Sequence, residues 1–243
     1  MFSGTDSKLN INFRIPAHKK QNPHSEVRIF INEKNKFFDI TRQAGISSSV
    51  LTYGLGAGIA DIDGDGWQDI YIANDYNVPD FLYINNRNGT FTDKKFSMLG
   101  HTSQSSMGNN VADINNDGFP DILVLDMLPE DNRRQKLLLS PDNYEKFDLI
   151  VRSGFHYQYM RNVLQLNNGN GTFTETGAEA GLNDNAQSWS TVFEDFDNDG
   201  DFDAFIVNHD FQNRLFRNNG NFSQTDAHSH ISTFDGFDTS FDI

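Results

Sequence analysis

The feature that most restricts how this chain can fold is a repeated acidic phrase. Residues 58–72 read Gly-Ile-Ala-Asp-Ile-Asp-Gly-Asp-Gly-Trp-Gln-Asp-Ile-Tyr-Ile, and close copies occupy residues 111–124 and 193–206. A second phrase, Leu-x-x-Asn-Asn, follows each copy, at Leu82, Leu164 and Leu215. A fainter trace of the second phrase lies at residues 28–32, followed by Lys36-Phe37-Phe38. The leading aspartates Asp61, Asp113 and Asp195 are 52 and 82 residues apart, and the additional 30 fall in an insertion at residues 128–161. A period near 50 residues holding four short strands is that of a propeller blade. In the first unit, residues 58–62 lead into the acidic loop and 69–73 leave it, while 81–85 pair with 89–93 through an Asn-Gly hairpin. Helical periodicity is missing from these segments. The expected fold is an all-β, antiparallel β-propeller with a short helical insertion.

Within that frame the chain divides into an extension at 1–24 and a partial blade at 25–49. Blades follow at 50–97, at 98–180 (with the insertion) and at 181–225, and the start of a further blade at 226–243. Ser240-Phe241-Asp242-Ile243 matches the entry to an acidic loop, so the sequence is expected to stop inside a blade and to belong to a longer polypeptide. Closure of a propeller takes about 4–8 blades, and three full units leave it incomplete. The insertion offers helix starts at Pro129-Glu130-Asp131 and at Asp142, the first with an apolar face of Leu137, Leu138 and Leu139.

Each acidic loop follows D-x-D/N-x-D-G-x-x-D. Side chains at positions 1, 3 and 5 converge when the glycine at position 6 lets the chain turn. Position 7 then offers a backbone carbonyl and position 9 a closing carboxylate. That oxygen shell suits Ca²⁺. The expected ligands are Asp61, Asp63, Asp65, Trp67 and Asp69 in loop one and Asp113, Asn115, Asp117, Phe119 and Asp121 in loop two. Loop three supplies Asp195, Asp197, Asp199, Asp201 and Asp203. Trp67, Phe119 and Asp201 act through their carbonyls. An EF-hand requires helices and a glutamate at position 12, whereas position 12 here is Ile72, Val124 or Ile206. Asp-Gly turns also form without metal, but three loops with the same spacing, and eleven ligand carboxylates repelling one another, call for cations. Loop two, with Asn115 in place of an aspartate, is expected to be the weakest of about three sites. Extracellular calcium modules bind at about 10⁻⁴–10⁻³ M, so at about millimolar calcium each site adds on the order of 1.4 kcal/mol.

Composition narrows the partners. A formal charge of −15 disfavours nucleic acid and anionic membrane surfaces. There is no cysteine, hence no disulfide, thiolate site or cysteine nucleophile. No apolar run of membrane-spanning length occurs. Residues 1–8 lack the apolar segment of a signal peptide, so an exported protein would be represented here by mature sequence.

These loops and hairpin phrases resemble the FG-GAP/VCBS repeat family, whose blades build the propellers of integrin α-subunits and of many secreted bacterial proteins. Leu128-Pro129-Glu130-Asp131-Asn132 and His156-Tyr157-Gln158-Tyr159-Met160-Arg161-Asn162 resemble the insertion of large Bacteroidetes members that carry an ASPIC/UnbV-type domain. The resemblance covers residues 27–222 and implies structural Ca²⁺, an extracellular, cell-surface or periplasmic location, and adhesion or interaction with a protein or glycan. A carbohydrate-binding or carbohydrate-active propeller, lyase or hydrolase, is the alternative. No hydrolase elbow, zincin motif or phosphate loop is present, and no catalytic residue is assigned. His228 and His230 form no expected site, and His156, Trp67 and Trp189 are read as packing residues. Asp75, Asn77, Asp80, Asn208, His209 and Asp210 follow the second strands and are expected on the rim.

Overall fold

The computed structural model describes residues 27–47, 51–76, 78–129, 133–135, 144–182, 187–209, 212–220 and 231–233. The expected N-terminal extension, Leu137–Leu139, Asn77, Asp210, His228, His230 and the loop entry at 240–243 lie outside these residues. Three four-stranded antiparallel sheets form the three blades. Blade one is β3 (Gly54–Ala60), β4 (Asp69–Asn74), β5 (Phe81–Asn85) and β6 (Phe91–Asp93). Blade two is β8 (Ser106–Ala112), β9 (Asp121–Asp126), β11 (Val163–Asn167) and β12 (Phe173–Glu175). Blade three is β13 (Ser188–Glu194), β14 (Asp203–Asn208), β15 (Arg214–Asn218) and β16 (Ile231–Thr233). A hairpin of β1 (Phe30–Glu33) and β2 (Lys36–Asp39) precedes them. The insertion contributes α2 (Tyr144–Arg152) and β10 (Gln158–Tyr159), which pairs in parallel with β7 (Thr102–Ser103). A short helix α1 (Lys95–Met98) joins blades one and two. Among the described residues no helix is long and apolar enough to cross a membrane.

The strand period of two explains why the blades stack. Along β9, Ile122 and Val124 join Tyr71, Ala73 and Leu82 of blade one in one core. Leu123 and Leu125, on the other face, join Phe193, Ala204, Ile206 and Phe216 of blade three in a second core. The central strands are therefore apolar on both faces, and Ile122, Leu123, Val124 and Leu125 are all fully buried. Ile72, Phe81 and Tyr83 on the remaining face of blade one pack with Ala44 and Ile46.

The first strands of neighbouring blades run backbone against backbone. A Cβ on Gly108 of β8 would lie 2.9 Å from both Ser190 Cα and Trp189 O of β13. Backbone cannot yield as a flexible side chain would, so Gly108→Ala is expected to destabilise by about 1–3 kcal/mol in denaturant melts. An unchanged midpoint would show that blades two and three pack less tightly than these distances require.

Two expectations are corrected. The third sheet continues to Ile231–Thr233, past the boundary placed at residue 225. The Asn-Gly-Thr-Phe turn that closes the first two hairpins is shortened to Asn221-Phe222 in the third, so the turn that marked the strand is missing from the sequence. Trp67 and Trp189 are 49% and 48% exposed and do not fill a core, because one lies in an acidic loop and the other begins an inner strand. His156 is indeed a packing residue, 7% exposed, with Nε2 3.1 Å from Leu99 O.

Candidate metal centre

Each acidic loop joins the first and second strands of a blade, and the three fold alike. The position-1 carboxylate accepts the backbone N–H of positions 5 and 6. Asp65 and Gly66 donate to Asp61 at 2.9 and 2.8 Å, and Asp117 and Gly118 to Asp113 at 3.0 and 2.8 Å. In loop three Asp199 and Gly200 donate to Asp195, both at 3.1 Å. Position 3 accepts the same position-5 N–H in every loop, through Asp63, Asn115 and Asp197. Position 5 accepts the N–H of Trp67, Phe119 or Asp201. These bonds wind the chain so that alternate side chains point inward.

The turn needs left-handed backbone twice. Position 6 has φ of 88°, 90° and 96° at Gly66, Gly118 and Gly200. Position 4 does the same, with φ of 74°, 57° and 60° at Gly64, Asn116 and Asn198. Glycine and asparagine tolerate that region best. The recurrence of only those two residue types at position 4 is the signal in the sequence for this second left-handed residue.

The inward groups converge. In loop one a carboxylate oxygen from each of Asp61, Asp63 and Asp65 lies within 4.8 Å of the others, as do those of Asp195, Asp197 and Asp203 in loop three. Loop two places Asp113, Asn115 and Asp117 in the corresponding arrangement, with Asn115 Nδ2 donating to Asp117 Oδ2 at 3.0 Å. Of the expected carbonyl donors, Trp67 is exposed, whereas Phe119 packs its ring against Gly169 of the adjoining hairpin. Asp201 uses its side chain to accept from Asn116 Nδ2 at 2.6 Å, linking loops two and three.

Position 9 does more than close the loop. Asp69, Asp121 and Asp203 are fully buried. One oxygen of each accepts from the loop, at Ile62 N (2.8 Å), Ile114 N (3.0 Å) or Phe196 N (3.1 Å). The other accepts from the end of the third strand, at Asn85 N (2.8 Å), Asn167 N (2.8 Å) or Asn218 N (2.7 Å). Each carboxylate thus ties the second and third strands of its blade to the loop. The asparagines then reach across blades: Asn167 Nδ2 donates to Ile62 O at 2.8 Å and Asn218 Nδ2 to Ile114 O at 2.7 Å. The sequence showed these asparagines as part of a repeated phrase without revealing that they bind neighbouring loops together.

The electrostatics favour a cation. Burial, and then the charge of Asp65, raise the Asp63 carboxyl. Burial pushes Asp121 up to about 7 against two backbone hydrogen bonds, with Asp117 and Asp113 adding to the rise, and raises Asp69 and Asp203 as well. Carboxylates held close and dehydrated regain their ionised form when a cation sits between them. The oxygen donors present fit Ca²⁺.

The rim residues split. Asp80 and Asn208 are buried, and Asp80 accepts from Asn74 N at 2.8 Å, just as Asn213 accepts from Asn208 N at 3.0 Å. Asp80 and Asn213 cap strands at the end of the sheets opposite the acidic loops. The insertion emerges at that same end, after β9, and carries the exposed Tyr157 and Tyr159.

A family described as FG-GAP-like repeat matches residues 61–124 and 142–206, more than half of the chain. Similarity also extends to integrin alpha-6 of Gallus gallus, 36% identical over 91 residues that make up 33% of this chain and 8% of that protein. Integrin alpha-6 of Homo sapiens is 36% identical over 90 residues, again 33% and 8% of the two chains. Integrin alpha-3 of Mus musculus is 31% identical over 109 residues, 40% of this chain and 10% of the relative. The matched segment thus spans about a tenth or less of these curated relatives.

Proposed function

Because the chain belongs to the FG-GAP-like repeat family, we propose that it is a calcium-locked, non-enzymatic module for adhesion or interaction at a cell surface or outside the cell. The observation that carries this reading is the convergence of Asp61, Asp63 and Asp65, and of Asp195, Asp197 and Asp203, within 4.8 Å in each set. Calcium supplies the charge that lets these carboxylates stay ionised side by side. Asp61 and Asp195 fix the turn, Asp63 and Asp197 complete the inward shell, and the buried position-9 aspartates pass the loop's rigidity to the strands.

In this reading calcium acts on one end of the sheets and the partner is met at the other. The insertion, with Tyr157 and Tyr159 at its surface, lies at that opposite end, and the acidic groups are engaged in holding loops. A protein or glycan partner fits such a face, and the overall charge of −15 disfavours nucleic acid.

The test is thermal unfolding with calcium and with excess EGTA, read by far-UV circular dichroism. Three sites filled at about ten times their Kd stabilise by about 4 kcal/mol, so calcium is expected to raise the midpoint by several degrees. Asp63→Ala or Asp197→Ala should reduce that rise. Identical melts in calcium and EGTA would remove the calcium mechanism while leaving the blades in place.

A further inference from the structure

Loops one and three each carry an arginine that loop two lacks. Arg87 Nε donates to Asp65 Oδ2 at 2.6 Å. Arg217 forms an ion pair with Asp197, and its Nη2 lies 3.3 Å from Asp199 Oδ2. Among the described residues no arginine or lysine pairs with the ligand carboxylates of loop two.

The two arginines arrive by different routes. Arg87 stands at a hairpin position where the other blades have Gly169 and Gly220. The N–H of all three donates to the repeated asparagine two residues earlier, at 2.9, 3.1 and 3.0 Å. All three are left-handed, with φ of 61°, 65° and 80°. An arginine is strained in that backbone where glycine is not, and its side chain reaches the loop. Arg217 sits one residue before Asn218, where the other blades bury Ile84 and Leu166. Two separate departures from the repeat therefore deliver the same group to the same place.

The charges then balance. Loops one and three hold four ligand carboxylates and one guanidinium each, and loop two holds three carboxylates and no guanidinium. Counted over ligand carboxylates and the paired arginine, each loop carries a formal charge of −3. The Asp201 side chain, which accepts from Asn116 of loop two, adds one further negative charge between loops two and three.

We propose that Arg87 and Arg217 are built-in counter-cations that weaken calcium binding at loops one and three to the level of loop two, so that all three fill over one calcium range. The proposal rests on the calcium reading above, and it removes the reason for expecting loop two to be the weakest site.

Loop one contains its own reporter. Trp67 occupies position 7, so energy transfer from its indole to bound terbium reports that loop, whereas Trp189 lies on β13 away from any acidic loop. Terbium is titrated into the full chain and then displaced by calcium. Arg87→Gly, which restores the glycine of the other blades, is expected to tighten calcium binding by about tenfold at low ionic strength, less as salt rises. Arg87→Lys, which keeps the charge, should stay within about twofold of the parent. Unchanged or weaker binding in Arg87→Gly overturns the proposal, since a merely structural arginine leaves affinity and its salt dependence alone. A parent protein without sensitised emission overturns the calcium reading itself, and the two failures are thereby distinguished.

Discussion

Asp121→Ala is expected to destabilise the protein by about 2–5 kcal/mol, and to do so in EGTA as well as in calcium. The carboxylate is fully buried and accepts two backbone N–H groups, from Ile114 at 3.0 Å and Asn167 at 2.8 Å. Alanine leaves both donors buried without a partner, each at a cost of about 1–3 kcal/mol. The damage spreads, because Asn167 also donates to Ile62 O of blade one. Asp121→Asn should fall between the two, since an amide can accept one N–H but turns an NH₂ toward the other. The contrast is Asp63→Ala, at an exposed position in loop one, which should change stability in calcium and little in EGTA. If Asp121→Ala matched Asp63→Ala in EGTA, position 9 would be a ligand only and not a clamp.

A second large effect concerns Asp80, remote from the acidic loops. It is fully buried, and accepts from Tyr71 Oη at 2.7 Å, Ser106 Oγ at 3.0 Å and Asn74 N at 2.8 Å. Burial raises its carboxyl from 3.8 to about 7, with the buried Asp126 adding to the rise. The folded protein therefore holds a proton that the unfolded chain has released between those two values. The contribution is full below pH 3.8 and is lost as pH rises through about 7. The shift corresponds to about 4 kcal/mol. Asp80→Asn should flatten this slope and melt higher than the parent at pH 8, with calcium saturating throughout. The amide is accommodated because Tyr71 and Ser106 can turn their hydroxyls to accept. Asn162 and Asn213 already occupy the same place in the other two blades. Equal pH slopes in the two proteins would show that Asp80 is ionised in the fold.

Much of this was legible from the repeat. The D-x-D/N-x-D-G-x-x-D spacing located the loops to the residue, and the short apolar runs in 69–73 and 121–126 located the strands that leave them. Position 12 falls inside β4, β9 and β14 at Ile72, Val124 and Ile206, as the exclusion of an EF-hand required. The helix expected from Asp142 is present as Tyr144–Arg152. The end of the third sheet was misplaced because its hairpin lacks the Gly-Thr-Phe that marks the others. A polar residue after a strand has the same appearance whether it faces water or caps a backbone, which is why the sequence points to the rim for Asp80. Asn208, by contrast, ends β14 and is held by Asn213 and Gln212.

The sequence by itself determined what lies close along the chain: strand period, turn chemistry, and the order in which oxygen donors enter each loop. These follow from backbone geometry over fewer than ten residues, and repetition makes them unmistakable. Only the tertiary structure decided which groups meet across strands and blades. Asn167 finds Ile62, Asn116 finds Asp201, and Arg87 finds Asp65, at separations of 105, 85 and 22 residues. A hydrogen bond depends on positions in space that the stacking of the sheets sets, and no local pattern encodes its far partner.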